Sequence, residues 1–440
     1  MTNLQSLDSG SSSATNVYAG FAVNQSNGDV TDSKLSVSNN TQFAESLGNS
    51  ATNRLSSTAT DTNAGSAPTA ALSNRQDANT AIASGSTLTA NATASSTRSN
   101  IAISGNNNTA LGVVNNGSNT LTVSGTDIAN RAGDRGFADS IELQGDYALA
   151  NVQNANGSVT STANTALANT EYDPTNTTAN ASKGVKDGSV ALNGNATTAE
   201  GSGNRVSNQL SVAATATNGA SAALGNSQDN AAGVTSAAQT TVNYRLQPST
   251  AVASADASTV SIDGNSTTAL ARGNTANNTL NYAAGARYTG TTDLAQATTG
   301  SATGAQADLA NVQTNSGAIA ASSTSSTYTM VLNAGPNPVQ GADTAAVLNS
   351  SASVSGNSTA ALAYGNTAVN SLTMATFAQG VPSSAVSSYQ TNSGSVSATA
   401  TTAGYNASFA GTVANSAVRN TGNSVTAQAV GNSSISTIGG

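Results

Sequence analysis

A five-position spacing recurs along this chain. In residues 264–282, GNSTTALARGNTANNTLNY, the positions are two asparagines that each follow a glycine, an alanine between them, and a later asparagine and leucine. The same spacing occurs in six copies, and the sixth departs from it only at Ser436 and Ile438. Five positions held through six copies indicate a repeat architecture, in which units that are unstable alone stack on one another.

Spaced asparagines and glutamines are the candidate repeat and ladder residues. From the first and third asparagine positions of each copy they are Asn40, Asn53, Asn106, Asn119, Asn195, Asn208, Asn265, Asn278, Asn357, Asn370 and Asn423. A second motif, with a polar residue two positions before a glutamine, lies between the copies at Gln76, Gln153, Gln228, Gln313 and, more loosely, Gln390. A compressed version surrounds Gln25. The two motifs therefore alternate along the chain.

Apolar residues alternate with period two before and inside each copy, as at Val260 and Ile262, which is typical of β-strands. The parity of the alternation shifts at Gly264 and again at Gly273. Glycine, and less easily asparagine, tolerates positive φ. Each copy is therefore predicted to form three short strands separated by two corners.

The predicted fold is all-β: one continuous β-solenoid over residues 1–440, built from six tandem repeats. The approximate repeat units are 18–60, 61–128, 129–215, 216–287, 288–379 and 380–440. Insertions of variable length, rich in Thr, Ala and Gly, separate the motifs. These insertions are expected to project from one face while the motif strands stay in register.

A core of large side chains is not available, since aromatic residues are only 3% of the chain and charged residues 8%. Small residues and backbone hydrogen bonds must specify the fold, and stacked Asn or Gln side chains can form amide ladders. Asparagine beside glycine is also a common turn residue, which is the favoured interpretation for Asn265 and Asn274 and their equivalents. For the equivalents of Asn278 and Gln313, which lie within strand alternation, a ladder is favoured.

The sequence offers no catalytic site, and we expect no enzyme activity, cofactor or metal. Histidine and cysteine are absent, which removes the usual triads, thiol nucleophiles and zinc sites. The densest acidic stretch, Asp134, Asp139, Glu142 and Asp146, lies in one insertion and has no counterpart in the other units. A fold analogy with polysaccharide-degrading β-helices leaves a carboxylate enzyme as the least favoured function.

The net charge of −8 and the scarcity of Lys and Arg argue against nucleic-acid binding. No apolar run approaches the roughly 20 residues of a transmembrane helix. The first thirty residues lack the charged and apolar regions of a secretory signal.

The GNxA element, as in residues 273–276, with spaced Gln and Asn in paired strands, resembles the repeats of curlin-type bacterial amyloid subunits. The resemblance implies secretion, β-solenoid stacking and self-assembly into biofilm fibres. The units here are longer, and the flanking glutamines of the curlin repeat do not recur at its spacing. The Ala, Ser, Thr and Asn composition is also similar to that of holdfast-attachment surface proteins of stalked bacteria.

The favoured function is a structural subunit of an extracellular bacterial fibre for biofilm matrix or surface attachment. No polar cap is recognisable, and a chain that begins with a glutamine motif and ends at Ile438 would continue its own repeat in a second copy. The expected partner is thus another copy, through residues near Gln25 and Ile438, with a surface polysaccharide or outer-membrane anchor as further candidates. The alternative is a β-solenoid adhesin passenger or phage tail fibre that binds surface glycans.

Overall fold

In the computed structural model, the described residues are 1–59, 69–129, 143–170, 184–246, 254–289, 294–297, 304–333, 345–376, 380 and 382–440. They form strands and no helix. Strand pairing is parallel among the described strands, except between β9 (Leu143–Gln144) and β21 (Gln296–Ala297). The predicted all-β class is confirmed, and these stacked parallel sheets are compatible with a β-solenoid.

Four parallel sheets make up most of the described structure. Sheet A consists of β1 (Thr2–Leu7), β5 (Ala70–Ala78), β10 (Tyr147–Ala155), β15 (Ala222–Asn230), β22 (Ala307–Asn315) and β27 (Ser384–Asn392). Sheet B consists of β2 (Ser11–Thr31), β6 (Ala81–Thr97), β11 (Val159–Thr170), β12 (Gly184–Lys186), β16 (Val234–Leu246), β17 (Ser254–Asp256), β23 (Ile319–Asn333), β24 (Ala345–Leu348), β28 (Val396–Ala410) and β29 (Thr412–Ala414).

The remaining two sheets contain the apolar pairs and the Gly-Asn motifs of the sequence. Sheet C consists of β3 (Lys34–Ser38), β7 (Asn100–Ser104), β13 (Ser189–Ala191), β18 (Thr259–Asp263), β25 (Ser351–Ser355) and β30 (Ala417–Thr421). Sheet D consists of β4 (Thr41–Ala59), β8 (Asn107–Ile128), β14 (Ala196–Asn218), β19 (Ser266–Ala284), β20 (Arg287–Tyr288), β26 (Ser358–Thr376) and β31 (Ser424–Gly439).

The chain runs through sheets A, B, C and D in that order and then returns to sheet A. We call one such sequence of strands a pass, so that the first pass covers residues 2–59 and the last covers 384–439. Pairing already begins at Thr2, which lies opposite Ser73, whereas the first predicted repeat unit begins at residue 18. Several insertions, among them 130–142 and 171–183, lie outside the described residues.

Register aligns equivalent side chains of successive passes into columns. One inward column of sheet D consists of Leu55, Leu121, Leu210, Leu280, Leu372 and Ile438. Its central members are completely buried, as are Tyr244 and Tyr328 on the inner side of sheet B. The interior is thus a set of narrow apolar columns, because each pass contributes only a few large side chains to it.

The predicted corner at Gly264 is confirmed. Its φ of 67° is in the left-handed region, which glycine adopts without steric cost. Equivalent positions between sheets C and D also have positive φ: Asn39, Gly105, Gly194, Gly356 and Gly422.

The predicted second corner at Gly273 is wrong, because β19 continues through it without a break. Gly273 and Asn274 are both buried, so the inward parity changes inside the strand. Glycine is needed here for space rather than for φ. A Cβ atom on Gly273 would lie 2.4 Å from the Gly365 carbonyl oxygen and 2.6 Å from Oδ1 of Asn315.

We therefore predict that Gly273→Ala lowers the free energy of unfolding by about 1–3 kcal/mol, the usual cost of overpacking an interior. Gly233→Ala is the matched control, since no heavy atom lies within 4 Å of a Cβ atom built there. It should leave stability unchanged or raise it by up to about 1 kcal/mol. Denaturant midpoints of the two variants measure the difference, and equal midpoints would contradict the close-approach explanation.

Candidate functional site

Two asparagine rows belong to sheet D: one lies where its strands begin, and the other lies where the inward parity changes inside those strands. The corner row, directly after the positive-φ corner, is Asn40, Asn106, Asn195, Asn265, Asn357 and Asn423. The bend row, where the inward parity changes, is Asn49, Asn115, Asn204, Asn274, Asn366 and Asn432. In both rows each Nδ2 donates to Oδ1 of the next pass, at 2.7 to 3.0 Å.

Two more asparagine rows face each other across the interior. The inner row of sheet D is Asn53, Asn119, Asn208, Asn278 and Asn370. The facing row of sheet A is Asn3, Asn74, Asn151, Asn226 and Asn311. Within each row Nδ2 donates toward the last pass at 2.8 to 3.0 Å. The sixth position is serine in both rows, at Ser436 and Ser388.

The glutamine row of sheet A points the opposite way. It consists of Gln5, Gln76, Gln153, Gln228, Gln313 and Gln390. Each Nε2 donates to Oε1 of the preceding pass, at 2.6 to 2.8 Å. At every joint between successive passes, the five rows together therefore supply amide hydrogen bonds that donate toward the last pass and others that donate toward the first.

In the bend row, the inner row and the glutamine row, the second N–H of the amide links sheet A with sheet D. Asn278, which is completely buried, donates to Asn370 Oδ1 at 2.9 Å and to Asn311 Oδ1 at 3.1 Å. Nε2 of Gln313 likewise donates to the Thr367 carbonyl oxygen of sheet D at 2.9 Å. Because both amide hydrogens and the oxygen of Asn278 and of Gln313 have partners, these two buried amides are satisfied without water.

The corner asparagines combine the two roles considered from the sequence. Asn265 follows the left-handed Gly264, and its backbone N–H and Nδ2 both donate to Oδ1 of Asn357, at 3.0 and 2.9 Å. Its other amide hydrogen reaches the Leu192 carbonyl oxygen at 2.8 Å. Asn265 is thus a corner residue and a ladder residue at once.

The first member of the glutamine row is Gln5. Strand register places Gln5 opposite Gln76, and Nε2 of Gln5 donates to the Ser50 carbonyl oxygen at 2.9 Å. The sequence analysis missed Gln5 and assigned this motif to Gln25, whose side chain lies outside the described part of the chain. The spacing of Asn3 and Gln5, which matches that of Asn74 and Gln76, was the available signal.

A chain of hydroxyl groups crosses the interior between sheets B and D. Thr165, Thr197, Thr240 and Thr267 are joined in that order by hydrogen bonds of 2.6 to 2.7 Å. The chain reaches the hydroxyl of Tyr328, 2.7 Å from Thr267 Oγ1. Burial of the phenol raises the pKa of Tyr328 to about 12.

The last pass presents interior columns to solvent. Val413, Val418, Val425 and Ile438 are 39% to 55% exposed, whereas their partners in the preceding pass are at most 1% exposed. Ile438 also lines a cavity at this edge, together with Met374 and Pro382. In the first pass, Leu35 and Leu55 are only partly buried against the same columns.

The described residues contain no cluster of three His, Cys, Asp or Glu side chains that could hold a metal ion. Asp146 is buried and accepts hydrogen bonds from the backbone N–H and the hydroxyl of Ser221, at 2.8 and 3.1 Å. Asp134, Asp139 and Glu142 lie outside the described residues.

No family model, curated protein or solved structure matches this chain. Within the described ranges there is also no helix that could cross a lipid bilayer. The amide rows and the two outer passes are therefore the features of the structure that bear on function.

We predict that Asn278→Ala lowers the free energy of unfolding by about 2–4 kcal/mol. The change leaves the facing groups of Asn208, Asn311 and Asn370 short of partners in the interior. The control is Asn277→Ala, one residue earlier on the exposed side of β19, with an expected change within about 0.5 kcal/mol. Similar denaturation midpoints for the two variants would show that the row contributes little stability.

The folded state should retain the Tyr328 proton at a pH where the unfolded chain loses it. Its pKa is about 12 when folded, above the ordinary value of about 10. The stabilisation is therefore complete below pH ~10 and is lost as pH rises through about 12. Relative to Tyr328→Phe, the wild type should lose unfolding free energy over this range. A difference between the two proteins that is independent of pH would contradict the raised pKa.

Proposed function

We propose that the chain is one continuous β-solenoid of six tandem repeats and serves as a structural fibre subunit. Copies join head to tail, and the first pass of one copy stacks on the last pass of another. The observation that carries this proposal is the exposure of Val413, Val418, Val425 and Ile438, whose columns are buried everywhere inside the stack.

Strand pairing supports the same arrangement. β1 and β27 are the outer strands of sheet A, and β4 and β31 those of sheet D. Outer strands in parallel sheets present unpaired backbone N–H and C=O groups that favour pairing with another chain. Because register at these positions is constant from pass to pass, a second copy in register would place Gln5 beside Gln390 and Leu55 beside Ile438. A heterologous contact of this kind does not close on itself and generates a filament.

The proposed setting is the surface of a bacterium, where such a fibre would serve in biofilm matrix or attachment. The low charge, together with many hydroxyl and amide groups, suits an inert polymer able to hydrogen-bond to surface polysaccharide. The curlin-type resemblance supports the same setting. An outer-membrane anchor is a further proposed partner.

The test is assembly of the full 440-residue chain, purified as monomer in denaturant and diluted into buffer. Unbranched filaments seen by electron microscopy are the expected result. Soluble, folded monomers or trimers at high concentration would contradict the proposal and favour a glycan-binding adhesin or tail fibre.

Two isoleucines of β31 provide a matched pair of variants for the joint. Ile438 points along an interior column, whereas Ile435 is equivalent to Val369, which is 46% exposed inside the stack. Ile438→Lys should abolish filaments, because joining would bury the ammonium group among leucines. Ile435→Lys, with a similar initial exposure, should leave assembly intact. Equal effects of the two substitutions would contradict a joint made through the interior columns.

A further inference from the structure

Two of the five amide rows that extend through the first five passes change residue type in the last pass. Ser388 stands where sheet A has asparagine in the five preceding passes, and Ser436 does so in the inner row of sheet D. The hydrogen bonds to these serines are longer. Asn311 Nδ2 lies 3.4 Å from Ser388 Oγ, and Asn370 Nδ2 lies 3.3 Å from Ser436 Oγ.

A serine cannot repeat what an amide does in a row. Strands stack at about 4.8 Å, and an amide spans this distance because its oxygen accepts from one neighbour while its nitrogen donates to the other. A hydroxyl is shorter and has a single hydrogen. Moreover, Ser388 Oγ already lies 3.0 Å from Ser434 Oγ, within its own pass.

The other three rows reach the last pass complete. Asn423 and Asn432 carry Nδ2 donors, and Gln390 carries an Oε1 that no described donor contacts. Nδ2 of Asn423 donates within the last pass to Asn420 Oδ1 at 2.7 Å, a hydrogen bond that stacking of a second copy would replace. In the first pass, Oδ1 of Asn40 and Asn49 likewise has no described donor. These groups pair as donor with acceptor only when copies stack in one direction.

We propose that Ser388 and Ser436 make the joint between copies weaker than the joints within a copy. This inference rests on the proposed fibre function, and the partner is a second copy of the chain. Three complete rows set the direction and register of the joint, and two incomplete rows limit its strength. A filament then elongates, exchanges copies and breaks at subunit boundaries, while each subunit stays folded.

The test replaces both serines with the residue found in the preceding passes, in the double variant S388N/S436N. Completion of both rows should lower the critical concentration, measured as protein left in solution at equilibrium, by about tenfold. That change corresponds to roughly 1.4 kcal/mol in joining free energy. The rate of subunit loss on dilution should fall as well.

The control is S397N/S408N, the same chemical change at two exposed positions of β28 in the same pass. It should keep the wild-type critical concentration. If wild-type filaments form and S388N/S436N assembles no better than the control, the inference fails while the fibre function stands. If the wild type forms no filaments at all, the proposed function fails, and the inference fails with it.

Discussion

Stacked side-chain amides are the interaction on which the rest of the structure depends. The interior has few large apolar groups, so specificity must come from polar groups that are fully satisfied when buried. An amide meets this requirement only if the same residue type stands above and below it, at the strand spacing. A register slip of one residue would turn the rows of Asn278 and Gln313 outward and leave their hydrogen-bond partners in the interior unsatisfied. The rows therefore fix the register of every sheet at once.

The direction of the rows gives each pass two different faces. The asparagine rows donate toward the last pass, and the glutamine row donates toward the first. A face with asparagine donors and a glutamine acceptor thus matches the opposite face of an identical pass, but not a second copy of itself. In repeat proteins each unit is stabilised by its nearest neighbours. The same stacking that folds the chain would therefore serve the proposed addition of further copies.

Much of this arrangement could be predicted from the sequence, because a ladder requires one residue type at constant spacing. The candidate ladder positions came from that spacing, whereas the all-β class came from the period-two alternation of apolar residues and the corner at Gly264 from its change of parity. Corners between sheets B and C were missed, since their positive-φ residues are as varied as Arg98, Asp187 and Ala257. Four of these six residues, Asp32, Asp187, Asn349 and Asn415, are of types that tolerate positive φ. Stacking on neighbouring passes imposes the same conformation on Arg98 and Ala257, which interrupt that signal.

The misreading at Gly273 has a similar cause. Glycine at this position leaves space for the side chain of an asparagine in the next pass, as Gly203 does for Asn230. Where the facing residue is Ala155, the glycine is replaced by Val114, and both belong to one apolar cluster. The requirement is a pairwise fit between residues distant in sequence. The hydroxyl chain from Thr165 to Tyr328 also depends on contacts between sheets, and no linear spacing reveals it.

Helical reconstruction by electron cryo-microscopy of filaments grown from the full chain tests the central claim most directly. If amide rows and strands continue through the joint, the axial rise per copy should be about 29 Å, which is six strand spacings of about 4.8 Å, with all copies pointing the same way. A repeat of two copies related by a two-fold axis, or copies packed side by side through outward faces, would contradict continuous stacking.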